Sequence, residues 1–219
     1  MHFPHIFVDV QKRLQTVVTV IFVIMVVAVT ESCRQHSSAS GSLLPDGVEL
    51  RPGDVVLRRG GGMASRAVLL ADGGGEYSHV GIVVDSAGVM MVAHAVPGEP
   101  DYPGDPDRVK LESPHAYFDA GRASRGCVMR CADSAVAQRA AARAMQVYRR
   151  RTLFDHDYDD ADTTRVYCCE LVEAAFRSAG LPLAALPRHN VSLPWLVLDS
   201  VIFPSDFRHS PVLKVVAEF

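Results

Sequence analysis

The chain has 219 residues, is 48% hydrophobic and 21% charged, and carries a formal net charge of -3. That apolar content suffices for one globular domain with a sizeable core. The slightly acidic balance excludes the basic footprint of a nucleic-acid binder. Arginines interleave with Asp and Glu, the pattern of a mixed, solvated surface. No period of roughly 20 to 50 residues repeats, which argues against solenoids and propellers.

At the amino terminus Lys12 and Arg13 precede an unbroken apolar run, Val17 to Val29. It is shorter than the ~20 residues a membrane helix needs, and a positive segment followed by a run of this size reads as an export signal. Thr30-Glu31-Ser32-Cys33 then resembles a bacterial lipoprotein cleavage site, whose cysteine becomes lipidated. An uncleaved short anchor and a plain signal are the alternatives. Residues 1–33 are therefore expected to be a signal peptide or a lipoprotein-type membrane anchor. Residues 34–46 are expected to be a polar tether, and 47–219 the folded domain. The protein is expected to be exported, periplasmic or membrane-anchored in a bacterial envelope.

Within the domain, Arg51-Pro52-Gly53-Asp54 reads as a turn leading into a strand over Val55 to Arg59. Gly60-Gly61-Gly62 breaks that strand, and Met63 to Ala71 has helical spacing. Two strands follow, His79 to Asp85 and Val89 to Val96, joined by Ser86-Ala87-Gly88. Pro97-Gly98-Glu99-Pro100 begins an irregular stretch. Strands are predicted over Val109 to Glu112 and Gly126 to Cys131, with a helical turn around Tyr117 between them. Asp133 or Ser134 caps a helix running to about Arg150. An acidic loop leads to a second helix, Tyr167 to Ala179, stopped by Gly180 and Pro182. A helix near Leu196 and a strand over Val212 to Val216 complete the chain. Helices and strands are segregated, so the fold class is α+β.

Cys168 opens the second helix, where unpaired N–H groups favour a thiolate. At 100° per residue it falls within the arc of Leu171, Val172, Ala175, Phe176 and Ala179, with Cys169 at the edge of that stripe. Periodicity alone leaves a packed core cysteine as the competing reading. Cys127 and Cys131 lie four apart on one strand, ~13 Å and too far to bridge, and read as buried small hydrophobes. If Ser86 and Ala87 form the hairpin loop, His79 and His94 face each other across neighbouring strands. A slip of two makes them diagonal neighbours, and an odd slip separates their faces. The aspartates Asp155, Asp157, Asp159, Asp160 and Asp162 lack the Gly and the terminal Glu of a calcium loop. Cys168, Cys169, His79 and His94 lack the short-range pairs usual for zinc. No metal or cofactor is expected.

Taken together, Gly53-Asp54-Val55-Val56-Leu57-Arg58-Arg59-Gly60, Ser78-His79-Val80-Gly81-Ile82-Val83, Val92-Ala93-His94-Ala95 and Tyr167-Cys168-Cys169-Glu170-Leu171-Val172 are similar to the permuted papain-fold cysteine hydrolases. The nearest resemblance is to the YiiX/YebB-like group of the NlpC-type superfamily, over roughly residues 50–219. It implies a circularly permuted papain-like fold, an antiparallel sheet or half-barrel packed against helices, with histidine preceding cysteine. It implies Cys168 as nucleophile, His79 as base and His94 as the third polar residue. Cys169 falls where the family has Ser or Thr. Tyr167, Ser78 and Asp54 are carried as weaker candidates for the cleft or the oxyanion site. The implied chemistry is acyl transfer from an amide of an envelope peptide or an acylated small molecule, without a cofactor. The membrane is a partner through the N-terminal segment, and nucleic acid is not. An inactive peptide- or lipid-binding module on the same fold, and an acyltransferase, are the alternatives.

Overall fold

Pro52 and Gly53 lead into the sheet with a type II turn. The Asp54 N–H donates to the Arg51 carbonyl at 3.0 Å, and Gly53 takes φ +89° at the position where such a turn needs a glycine. The computed structural model describes residues 41–158, 162, 164–183, 188–193 and 196–219. The expected signal or anchor, Cys33 and the tether up to residue 40 lie outside the described residues.

The turn leads into strand β1 (Val55–Gly60), followed by helix α1 (Met63–Ala71). Strands β2 (His79–Ser86) and β3 (Val89–Val96) form a hairpin, β4 (Arg108–Glu112) adds to it, and a short helix α2 (Pro114–Tyr117) follows. Then come β5 (Ala123–Cys131), helix α3 (Ser134–Arg149), the short strands β6 (Leu153–Phe154) and β7 (Arg165–Val166), and helix α4 (Cys168–Ser178). The chain closes with β8 (His189–Leu193), β9 (Leu196–Val201), helix α5 (Pro204–Arg208) and β10 (Leu213–Glu218).

Eight strands make one sheet in the order β10-β5-β1-β2-β3-β4-β6-β7, curled into a half-barrel packed with helices, and β8-β9 form a separate ribbon. All pairs in the large sheet are antiparallel except β6 with β7. The architecture is α+β, as the segregated elements predict.

Period-two alternation sorts the strands into two faces. Val55, Leu57, Val80, Ile82, Val84, Ala93 and Ala95 join the core that includes α3 and α4. Helix α3 presents Ala137, Ala140, Ala141 and Ala144 to that core, and side chains this small allow close approach to α4 and β2. Its N-cap is Asp133, whose carboxylate accepts the Ala135 and Val136 N–H groups. The other face carries Val56, Val83, Val92 and Val128 beneath Tyr117, Phe118 and Leu44. By the same alternation Arg58, His79, His94, Lys110 and Glu112 belong to this second face.

Three expectations change. The hairpin loop is Ala87-Gly88, with Ser86 paired to Val89, because both loop residues take positive φ (55° and 85°) and Gly88 supplies one of them freely. The segment from Leu196 is strand β9 rather than a helix. Its apolar residues find partners in β8, with Val191 against Leu198 and His189 against Val201, a pairing that local periodicity does not reveal. Residues 41–46, expected as tether, pack with the domain. The Leu43 N–H donates to the Phe118 carbonyl at 2.8 Å, and Leu44 is buried in the second core.

Candidate active site

Helix α4 begins at Cys168, and its N-cap residue Tyr167 makes no side-chain hydrogen bond to the first turn. The Tyr167 ring is turned into the core instead, where its hydroxyl accepts the Ile202 N–H at 3.1 Å. The leading N–H groups of α4 thus have no side-chain cap beside the sulfur. Cys168 is half-buried at the open end of the stripe that α4 turns toward the sheet. Cys169, expected at the stripe's edge, is the more deeply buried of the two at 1% exposure. The helix is covered on that flank as well, which brings the carboxylates of Asp206 and Asp72 to bear on Cys169.

His79 is the first residue of β2, and its imidazole is set against Cys168, close enough for each to act on the other's charge. With the hairpin loop at Ala87-Gly88, His79 and His94 are diagonal rather than facing neighbours. The diagonal separation is still within reach of two rings: His79 Nε2 lies 2.9 Å from His94 Nδ1. Gly81 makes room for them, since a Cβ there would sit 2.6 Å from Val92 Cγ1 and 3.3 Å from His94 Cβ. His94 is fully buried and His79 nearly so. Tyr117 braces both, its ring centre 5.8 Å from that of His79 and 5.2 Å from that of His94. Its hydroxyl donates to the Val56 carbonyl at 3.1 Å.

Beyond His94 the structure supplies partners that no sequence pattern announces. Glu112 Oε2 lies 3.3 Å from His94 Nε2. Arg122 grips Glu112 with both terminal nitrogens, at 3.1 and 3.2 Å, and pairs with Glu99 at 2.7 Å. Glu99 reaches on to Arg58, also at 2.7 Å, and the Arg58 guanidinium stands 4.8 Å from the centre of the Tyr117 ring. Arg58, Glu99, Glu112, Tyr117 and Arg122 were absent from the sequence-derived site. One available signal was that Glu112 shares the strand-face parity of Lys110, the residue paired with His94 across β3 and β4.

The weaker candidates fall elsewhere. Ser78 Oγ accepts the Gly60 N–H at 2.9 Å and fastens β1 to the start of β2. Asp54 is buried at the far end of β1. There it takes two hydrogen bonds from Arg130, at 2.7 and 2.8 Å, and one from the Arg51 N–H. Asp54 and Tyr167 serve as structural anchors, Tyr167 directly before the sulfur and Asp54 at the other end of β1.

The electrostatics follow from these contacts. The Cys168 thiol is held well below its ordinary range, first by the hydrogen bond with Cys169, whose sulfur is 3.9 Å away. The His79 hydrogen bond and charge and the Val80 N–H act in the same direction, against the cost of burial. Cys169 is pushed up by burial and by its bond to Cys168, so it stays a thiol and donates to its neighbour's sulfur. Burial works against a charge on His79 and on His94, while Cys168 pulls His79 and Glu112 pulls His94 the other way. Burial would raise Glu112, but His94 and Arg122 outweigh it and keep the carboxylate ionised.

No protein-family model matches the chain, and no curated protein matches it. Among solved structures it is similar to one described as the metalloprotein yiiX from Escherichia coli O157:H7. The two share 20% identity with a TM-score of 0.61, over 77% of this chain and 97% of that one. The likeness shows a yiiX-like α+β fold.

Proposed function

We propose that the protein is a cysteine hydrolase on a permuted papain-like fold, cleaving an amide in an envelope peptide or an acylated small molecule. The observation that carries this reading is the Cys168 sulfur at the uncapped start of α4, set against His79, which is itself chained to His94. A thiolate beside an imidazole at a helix N-terminus is an activated nucleophile.

In this mechanism the Cys168 thiolate attacks the acyl carbonyl, and the new oxyanion is met by N–H groups of the first turn of α4. The His79 imidazolium protonates the leaving amine as the C–N bond breaks, leaving a thioester on Cys168. His79, now neutral, takes a proton from water as its oxygen attacks the thioester. The carboxylic acid leaves and the thiolate–imidazolium pair is restored. His94 fixes the plane of the His79 ring.

The structural relative is described as a metalloprotein. Here the His79 Nε2 and His94 Nδ1 atoms are turned on each other at 2.9 Å, so each ring spends a potential ligand nitrogen on its neighbour. Among the described residues, no group of three or more His, Cys, Asp or Glu side chains is arranged to hold an ion. The residues do not fit a metal at this site. Export and envelope attachment belong to the same proposal and rest on the N-terminal pattern. Among the described residues no helix is long and apolar enough to cross a membrane.

Iodoacetamide labelling at pH 7, mapped by mass spectrometry, tests the reading. Cys168 should react selectively, since Cys127 and Cys131 are buried and burial raises the Cys127 thiol to about 11. His79→Ala should remove that selectivity. Equal labelling of Cys168 and Cys131 would mean an inert fold that binds without turning over.

A further inference from the structure

The proton logic of the buried chain extends one residue past the two histidines. His79 Nε2 and His94 Nδ1 share one proton across 2.9 Å, so one ring donates and the other accepts. Whichever direction it runs, His94's remaining nitrogen, Nε2, has a Glu112 carboxylate oxygen 3.3 Å away, out of hydrogen-bond alignment but close enough for its charge to act. A lone pair turned toward a carboxylate is repulsive, whereas an N–H is attractive.

We propose that Glu112 is a positioning residue which, clamped by Arg122, holds the His94 proton on Nε2 and thereby fixes the proton that His79 carries on its own Nε2. This rests on reading Cys168 as the nucleophile and His79 as its base. With Nε2 of His79 committed to His94, only Nδ1 remains for the sulfur. The neutral ring with its proton on Nδ1 is excluded, because it would reverse the whole chain and point the His94 lone pair at Glu112. One proton is then left between Cys168 Sγ and His79 Nδ1, as thiol with imidazole or as thiolate with imidazolium. The Glu112 charge favours the second, at a distance of two rings.

The surroundings suit that role. The groups facing the two rings are Arg58 from β1, Lys110 and Glu112 from β4, Tyr117 from α2 and Cys168 from α4, with Glu99 and Arg122 behind them. Lys110 Nζ lies 3.5 Å from Glu112 but is also bound to Asp101 at 2.9 Å and to the Glu99 carbonyl at 2.6 Å. Arg122 keeps Glu99 as a partner if Glu112 loses its charge. The Glu112→Gln variant therefore removes one charge without orphaning the arginine.

The test is the pH profile of Cys168 alkylation by iodoacetamide, which requires no substrate. Glu112→Gln should move the midpoint upward by about one pH unit, which is a tenfold slower reaction at pH values below both midpoints. Nitrogen-15 shifts of the wild-type histidines supply a second measurement that does not depend on the variant folding. They should report His94 neutral with its proton on Nε2. A superimposable alkylation profile in a folded Glu112→Gln protein, or a His94 protonated on Nδ1, overturns the relay. A protein whose profile shifts as stated but which turns over no ester or amide keeps the relay and loses the hydrolase.

Discussion

Replacing His79 by alanine should slow acylation of Cys168 by an ester or amide on the order of 10³-fold. In the proposed mechanism the imidazole acts in two ways that alanine cannot. It holds Cys168 as a thiolate through a hydrogen bond and a charge, and it delivers the proton to the leaving group. Cys168→Ala should lose at least as much, because the thioester cannot form. The double variant should be no worse than the worse single one, since the two residues act as a unit. Single-turnover acylation with a chromogenic ester reads all three variants. A His79→Ala rate within tenfold of wild type would show that the sulfur reacts without its base.

Gly53→Ala should destabilise the fold by about 4 kcal/mol, a large fraction of a domain's usual 5–15. Two separate costs add. Gly53 takes φ +89°, a left-handed conformation that costs an alanine ~1–2 kcal/mol. Its Cβ would also fall 2.6 Å from the Ala137 Cα, and the obstruction is the backbone of α3 rather than a side chain that can rotate away. The Gly53 N–H bonds the Val83 carbonyl at 2.8 Å, and Val83 bonds back to the Asp54 carbonyl at 2.8 Å, so the turn cannot shift without opening β1 from β2. Urea denaturation reads the result. A loss below 1 kcal/mol would mean that α3 and the sheet separate more easily than their packing implies.

Local signals carried most of the fold. The Pro-Gly turn, the Asp133 cap and the Gly180 stop each mark a boundary through backbone chemistry that depends on few neighbours. Errors arose where a partner strand decides the outcome. Leu196 to Val201 is apolar enough for either conformation, and it is a strand because β8 pairs with it. Leu44 is buried because Tyr117 and Phe118 form its pocket some seventy residues later.

The site divides along the same line. Cys168 and His79 were legible because a helix start and a strand start each leave a sequence signature. The His79–His94 pairing depended on hairpin register, and the two-residue slip was absorbed because imidazole rings reach diagonally across strands. Asp54 was misplaced because its motif neighbours are strand residues, while its side chain is held by Arg130 from β5. Glu112 was invisible because an acidic residue at a strand end resembles a solvated one until the β3–β4 register and Arg122 are known.

The sulfur and its imidazole sit nearly ninety residues apart in the chain and meet only when α4 docks against the start of β2. Before that closure the thiol has the sluggish chemistry of an ordinary cysteine. Contacts between such distant segments form late, after the entropy of closing the intervening loop has been overcome. A newly synthesised chain is therefore latent by construction, its thiol made reactive only by tertiary assembly.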